Sequence, residues 1–308
     1  EQLAVSRDYR VVAVTGCQCS GKSTLLNALF GTGRDAKRLR REGVVKSEAT
    51  QAVVARPAAR APFVLVDVEG TQSRDRDSDE GIVFDSRTTL FAVMAADVIM
   101  LNLWAHDVGR ADGQTYAVLR SVFEEAVRLY EGQDHGVPRE GDGGVALGGG
   151  ARFPKASDYA MGVLMLVLRD VEEDGHFEAL DKVARENMET LWRDVDKPSS
   201  LRDVGLCEMF DLKTFGLPHF VYQRREFAAK AAALSQSFLD PNHDGFLFRR
   251  RRQQRVQGGE EEAASVVEEV SDFGVRPQSP SAEVPLSALR QRLEAIWGFA
   301  SSNRRLGE

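Results

Sequence analysis

The stretch VVAVTGCQCSGKSTLLNALFG, Val11 to Gly31, decides the fold. An apolar, β-branched run leads into a glycine-bounded turn, and an apolar helical run opens at Lys22. Between them Gly16, Cys17, Gln18, Cys19, Ser20, Gly21, Lys22 and Ser23 match the spacing G-x-x-x-x-G-K-[ST] without a gap. A loop that wraps a polyphosphate must turn its backbone N–H groups inward, and glycine permits that close approach. The helix start adds its positive dipole end. In such a loop Lys22 reaches the β and γ phosphates and the Ser23 hydroxyl ligates Mg²⁺. Thr24, next on the first helical turn, joins the candidate nucleotide contacts. The implied ligand is a nucleoside triphosphate.

Working outward, Gly33 to Ala49 is polar and highly charged and reads as a mobile loop ending at Thr50. The Thr50 hydroxyl is the candidate that completes the Mg²⁺ shell only while a γ-phosphate is present, ordering the loop as a first switch. Gln51 to Ala55 can form a short strand, and Pro62 to Asp67 (PFVLVD) a fully buried one. That strand ends in Asp67, Val68, Glu69, Gly70. An Asp in this place holds Mg²⁺ through water, and a Gly three residues on offers its N–H to the γ-phosphate. The charge-dense TQSRDRDSDEG beyond Gly70 reads as a second switch loop, with a helix from Phe84 to Ala95.

Asp97 to Leu103 reads as a strand, and Asp112 to Tyr130 as a long amphipathic helix. Residues 131–158 are glycine-rich and aperiodic, a flexible insertion. Met161 to Leu168 is the most continuously apolar strand and runs straight into Arg169 and Asp170. An Asp there is placed to accept two N–H bonds, from guanine N1 and N2, that adenine cannot supply. The bland alternative is a solvated strand exit feeding the helix His176 to Arg193. Glu208 to Phe220 holds room for a further strand and a loop over the base, and Gln223 to Phe238 is another helix. Strands alternating with helices behind a phosphate-loop motif give an α/β class and a P-loop domain.

Past Asp240 the character changes. Arg249 to Arg255 is basic, Glu260 to Glu269 acidic, and Gly274 to Pro285 Pro/Ser-rich. Leu286 to Phe299 then forms a new amphipathic helix, with Leu289, Leu293, Ile296 and Trp297 on one side, expected either to dock on the domain or to start a helical region. The chain therefore divides into a nucleotide-binding domain over 1–240, a linker over 241–285, and the start of a helical region over 286–308.

Composition bounds the function class. With 308 residues, 43% hydrophobic and 28% charged, the chain can bury a substantial core and is ordinary for a globular protein. A formal net charge of −7 argues against a dedicated nucleic-acid binder. Three cysteines, two of them in the phosphate loop, make no disulfide framework and fit a reducing compartment. No apolar run approaches the roughly 18 residues of a membrane span. With Glu1 in place of an initiator Met and an abrupt C-terminus, the chain reads as an excised fragment, from which any membrane anchor would have been left behind.

Several stretches taken together resemble one family, the dynamin-like GTPases of endoplasmic-reticulum fusion in the Root Hair Defective branch, functionally equivalent to atlastins. They are GCQCSGKSTLLNALFGT (16–32), VDVEGTQSRDRD (66–77), NLWAHDVG (102–109), SVFE (121–124), LRD (168–170), LWRDVDKP (191–198), FGLPHF (215–220) and AIWGF (295–299). The resemblance implies a P-loop GTPase head with a mixed, mostly parallel sheet flanked by helices, and GTP or GDP and Mg²⁺ as ligands. It also implies a nucleotide-dependent homodimer, and attachment to the cytosolic face of the endoplasmic-reticulum membrane through a stalk and hairpin absent from this chain. Carried over position by position, Gly16 to Thr24 cradle the nucleotide, Ser23, Thr50 and Asp67 hold the metal, and Gly70 meets the γ-phosphate. Arg169 with Asp170 reads guanine, and Gln18, Cys19, Lys22, Thr50 and Gly70 serve hydrolysis.

Departures from the family pattern bear on turnover. Cys19 stands where the branch has a serine near the attacking water, and a thiol is the weaker donor. The phosphate loop has no arginine, and Thr71 stands directly after Gly70 in place of a water-positioning glutamine. Charge compensation then falls to a monovalent cation, to Arg74 or Arg76, or to a partner, and hydrolysis is expected to be slow until the head dimerises. Two further readings stay open: a GTP-binding interaction module that scarcely cleaves its ligand, and an ATPase. Cys17 and Cys19 as an oxidation-sensitive pair is a weaker idea, because C-x-C geometry suits disulfides poorly.

Overall fold

The computed structural model describes residues 9–16, 20–31, 51–55, 62–68, 79–110, 119–127, 162–172, 174–199, 201–248 and 289–302. Six strands form one sheet: β1 (Arg10–Thr15), β2 (Gln51–Ala55), β3 (Phe63–Asp67), β4 (Val98–Trp104), β5 (Val163–Arg169) and β6 (Asp211–Leu217), in the order β2-β3-β1-β4-β5-β6. Among the described strands only β2 runs antiparallel to its neighbour. The helices are α1 (Lys22–Phe30), α2 (Asp79–Ala95), α3 (119–127), α4 (Asp174–Asp194), the short α5 (Leu206–Met209), α6 (Arg224–Leu239) and α7 (Leu289–Ser302).

Because side chains alternate across a strand, each apolar strand feeds two cores at once. On one face Val12, Val14, Leu65, Met100, Met165 and Val167 pack against Leu25, Leu29 and Phe30 of α1 and Phe227, Leu234 and Phe238 of α6. On the other, Val11, Ala13, Val66, Ile99, Leu101, Leu164 and Leu166 meet Phe91, Phe123, Met188 and Trp192. Both faces are covered, which is why these strands read as unbroken apolar runs rather than alternating ones. At the amino edge, buried Asp97 pins the middle of the sheet: its carboxylate accepts the Val11 N–H at 2.7 Å, and its carbonyl accepts the Val163 N–H at 3.0 Å.

Trp192 anchors the second core. It is 1% exposed, meets Phe123 edge to face at 5.6 Å, and donates Nε1–H to the Val204 carbonyl at 2.7 Å. Trp192→Phe keeps most of the ring but leaves that carbonyl unpaired, so unfolding stability should fall by about 1–3 kcal/mol. A urea titration at constant slope checks it; an unchanged midpoint would mean the carbonyl finds another donor.

Three boundaries differ from the sequence reading. Helix α2 starts at Asp79 rather than Phe84, taking in the acidic DEG whose charge suggests a loop; carboxylates in a first helical turn are favoured by the helix dipole. The expected linker begins with a packed segment: Leu247 is 3% exposed, and Phe248 lies 5.9 Å from the Phe63 ring. The C-terminal helix α7 runs on to Ser302, past the expected end at Phe299; it docks on α2, one of the two arrangements expected for it, with Trp297 edge-on to Phe84 and Phe91 at 6.3 and 5.9 Å. The insertion over 131–158, residues 249–285 and the Arg74 and Arg76 candidates lie outside the described residues.

Candidate functional site

Five parallel strands end at one edge of the sheet. From β1 the chain passes to β3 on one side and only later to β4 on the other, so the exit of β1 is the point where connections diverge, the usual place for a ligand crevice in such sheets. The glycine-bounded turn sits there. Gly16 has φ +139°, and a Cβ on it would lie 2.4 Å from the Asn102 carbonyl oxygen, so no other residue fits. Gly21 has φ +86°, and a Cβ there would press on Arg169 Nη1 at 3.2 Å. It caps α1 without a side chain, and the first-turn amides of a helix have no intrahelical acceptor.

Lys22 lies across the turn. It is 8% exposed, and its Nζ donates to the Gly16 carbonyl at 3.1 Å. One residue on, Ser23 Oγ donates to Asp67 Oδ2 at 2.5 Å. That contact is a consequence of register, since Asp67 pairs with Val14 at the end of β1. A hydroxyl and a carboxylate in contact make a pair of hard oxygens that suits Mg²⁺, an ion that takes few protein ligands and keeps its waters. Ser23 and Asp67 are thus the residues that could hold it. Ser20 is buried, and Thr24 is half-buried on the same turn of α1.

Arg169 and Asp170, adjacent in sequence, part company in space, as successive residues at a strand end do. Arg169 turns inward. It is 4% exposed, its Nη1 donates to Asn102 Oδ1 at 3.4 Å, and its Cζ stands 5.3 Å over the Phe227 ring. Burial pushes its pKa below the ordinary value, with Asp170 opposing the shift. Its Nε has no hydrogen-bond partner among the described residues. Asp170 is half-buried just past the strand end, in the left-handed region at φ +62°, which Asp tolerates better than most residues.

Two residues join the site that motif reading did not assign. His219, after β6, holds Nε2 at 3.9 Å from Asp170 Oδ2. Its Nδ1 accepts the N–H groups of Val221 and Tyr222, which places the proton of the neutral ring on Nε2, facing the carboxylate. Asn102 donates Nδ2–H to the Ser20 carbonyl at 2.6 Å and to Ser20 Oγ at 3.0 Å. Its signal in the sequence is a lone amide inside VIMLNLW; that of His219 is a polar ring in FGLPHF. Cys17, Gln18, Cys19, Thr50 and Gly70 lie outside the described residues.

The profile of the Root hair defective 3 GTP-binding protein (RHD3) GTPase domain matches residues 15–140 and 152–307. Protein SEY1 homolog 1 of Trichomonas vaginalis is 30% identical over 242 residues, 79% of this chain and 26% of that protein. Protein SEY1 of Cryptococcus neoformans is 31% identical over 241 residues, 78% of this chain and 26% of that protein. The chain therefore spans about a quarter of the length of these relatives. Among solved structures, a bacterial selenocysteine-specific elongation factor aligns with 68% of this chain and 26% of its own, at 14% identity and a TM-score of 0.34, a likeness too slight to argue from.

Proposed function

Because the chain belongs to the Root hair defective 3 GTPase-domain family, a family of GTP-hydrolysing enzymes, we propose that it is the mechanochemical head of an endoplasmic-reticulum membrane-fusion protein. In this reading it pairs with a second copy of itself when GTP is bound. The convergence of Lys22, the Ser23–Asp67 pair and Asp170 on one edge of the sheet, around a turn only glycine can make, supports it most. Lys22 neutralises charge on the β–γ bridge, as a preorganised cation in a low-dielectric site does best. Ser23 and Asp67, with Thr50, would hold Mg²⁺, which would neutralise part of the charge on the triphosphate. Gly16 to Ser23 would cradle the phosphates, Gln18, Cys19 and Gly70 would serve hydrolysis, and Asp170 would select guanine.

Residues 1–240 form the head, 241–285 the connection to the C-terminal helical region, its first residues still packed on the head through Leu247 and Phe248, and 286–308 the first helix of a stalk. Helix α7 packs on α2, which comes directly after the second switch segment, so a movement of that segment on hydrolysis is passed to the C-terminal helix. Among the described residues no helix is long and apolar enough to cross a membrane; in the proposal the membrane is reached through other parts of the longer protein.

Phosphate release per molecule should rise as protein concentration is raised, and light scattering should report a doubled mass with a non-hydrolysable GTP analogue but not with GDP. A per-molecule rate independent of concentration, together with a monomeric mass in every nucleotide, would remove the dimerising head. GTP binding without phosphate release at any concentration would favour the interaction module instead.

A further inference from the structure

Asn102 is an oddity of composition before it is one of structure. It is the only polar residue in β4, it is 0% exposed, and a buried amide is costly unless its hydrogen bonds are made. Here they are made to the loop that turns out of the neighbouring strand. Nδ2 donates to both the carbonyl and the hydroxyl of Ser20, late in that loop. The backbone oxygen of Asn102 closes over Gly16, its first residue, leaving no room for a Cβ. The amide is oriented by its partners: the NH₂ must face the Ser20 carbonyl, and the oxygen must face the Arg169 guanidinium at 3.4 Å. Arg169 is itself held on the Phe227 ring and precedes Asp170 in the chain.

We propose that Asn102 is a positioning residue for the phosphates, gripping the loop near both ends, and that Arg169, itself held on the Phe227 ring, keeps Asn102 in place. The proposal rests on the reading of residues 16–23 as a phosphate cradle. Registers bring the chain of contacts together: Leu101 pairs with Thr15, Asn102 with Val167, and Trp104 with Arg169. A one-residue slip of β4 would turn the amide to the opposite face of the sheet. In this arrangement Asn102 touches no nucleotide. It sets where the loop amides point, and a displacement of about an ångström there is enough to weaken phosphate binding.

The test compares Mg²⁺-GDP with guanosine as ligands, for the wild type, Asn102→Ala and Asn102→Asp, by calorimetry or competition. Asn102→Asp keeps the shape and the oxygen facing Arg169 but sets a second oxygen against the Ser20 carbonyl, so it carries the test should the alanine variant fail to fold. Both variants should lose GDP affinity by about tenfold or more, while guanosine affinity stays within about twofold. GDP affinity within about twofold of wild type in both would overturn the proposal. So would guanosine affinity falling in step with that of GDP, because a merely structural role loosens the whole site. A wild type that binds guanosine but gains nothing from the phosphates would overturn the cradle itself, and this inference with it.

Discussion

Lys22→Ala should weaken Mg²⁺-GTP binding more than a hundredfold while leaving the fold standing. The ammonium sits in a nearly buried position with its nitrogen turned back over the loop, 3.1 Å from the Gly16 carbonyl. Its bond to the Gly16 carbonyl is a single charge-assisted hydrogen bond, worth about 1.5–3 kcal/mol. Against a triphosphate the same group faces several negative oxygens in a partly desolvated crevice, where a single charge pair at 4 Å is worth on the order of 4 kcal/mol at an effective dielectric of 20. Losing about 3 kcal/mol of that is more than a hundredfold in affinity. Calorimetry reads the binding and a thermal melt of the nucleotide-free protein reads the fold. Affinity within a few-fold of wild type would mean that Lys22 serves the loop and not the ligand.

The two halves of that expectation are unequally legible in the sequence. The strand, turn and helix around Lys22 can be read directly, because glycine at two fixed positions and the change from an apolar β-branched run to a helical one leave few alternatives. Strands β3, β4 and β5 are legible for a related reason: a parallel sheet covered on both faces shows no alternation, so its strands stand out as continuous apolar runs. Asp67 is found by its place at the end of one of them. Which strand lies beside which cannot be read in this way. Asn102 gains meaning only when β4 neighbours β1 and its carbonyl falls over Gly16. The different burial of Arg169 and Asp170 depends on where β5 ends. The start of α2 is obscured because Asp79 and Glu80 suit a charged loop and a helical first turn equally well.

Asp170→Asn should exchange the preferred base rather than abolish binding. A carboxylate offers two acceptors, and guanine presents two donors to it, N1–H and the amino group on C2. The asparagine amide offers one acceptor and one donor, so its NH₂ would face the guanine amino group, donor against donor. Losing one charge-assisted bond and gaining that mismatch costs about 2–3 kcal/mol, on the order of a hundredfold in GTP affinity. Xanthine carries a carbonyl where guanine has the amino group, so its N1–H and C2 oxygen match the amide, and xanthosine triphosphate should gain by a similar factor. The backbone does not confound the comparison: Asp170 holds φ +62°, and Asn accepts the left-handed region as readily as Asp. A thermal melt should therefore be unchanged. Competition of the two triphosphates for one fluorescent nucleotide gives the ranking. Should GTP keep its lead in the variant, the carboxylate is not what reads the base, and its contact with His219 is a fastening between the ends of β5 and β6.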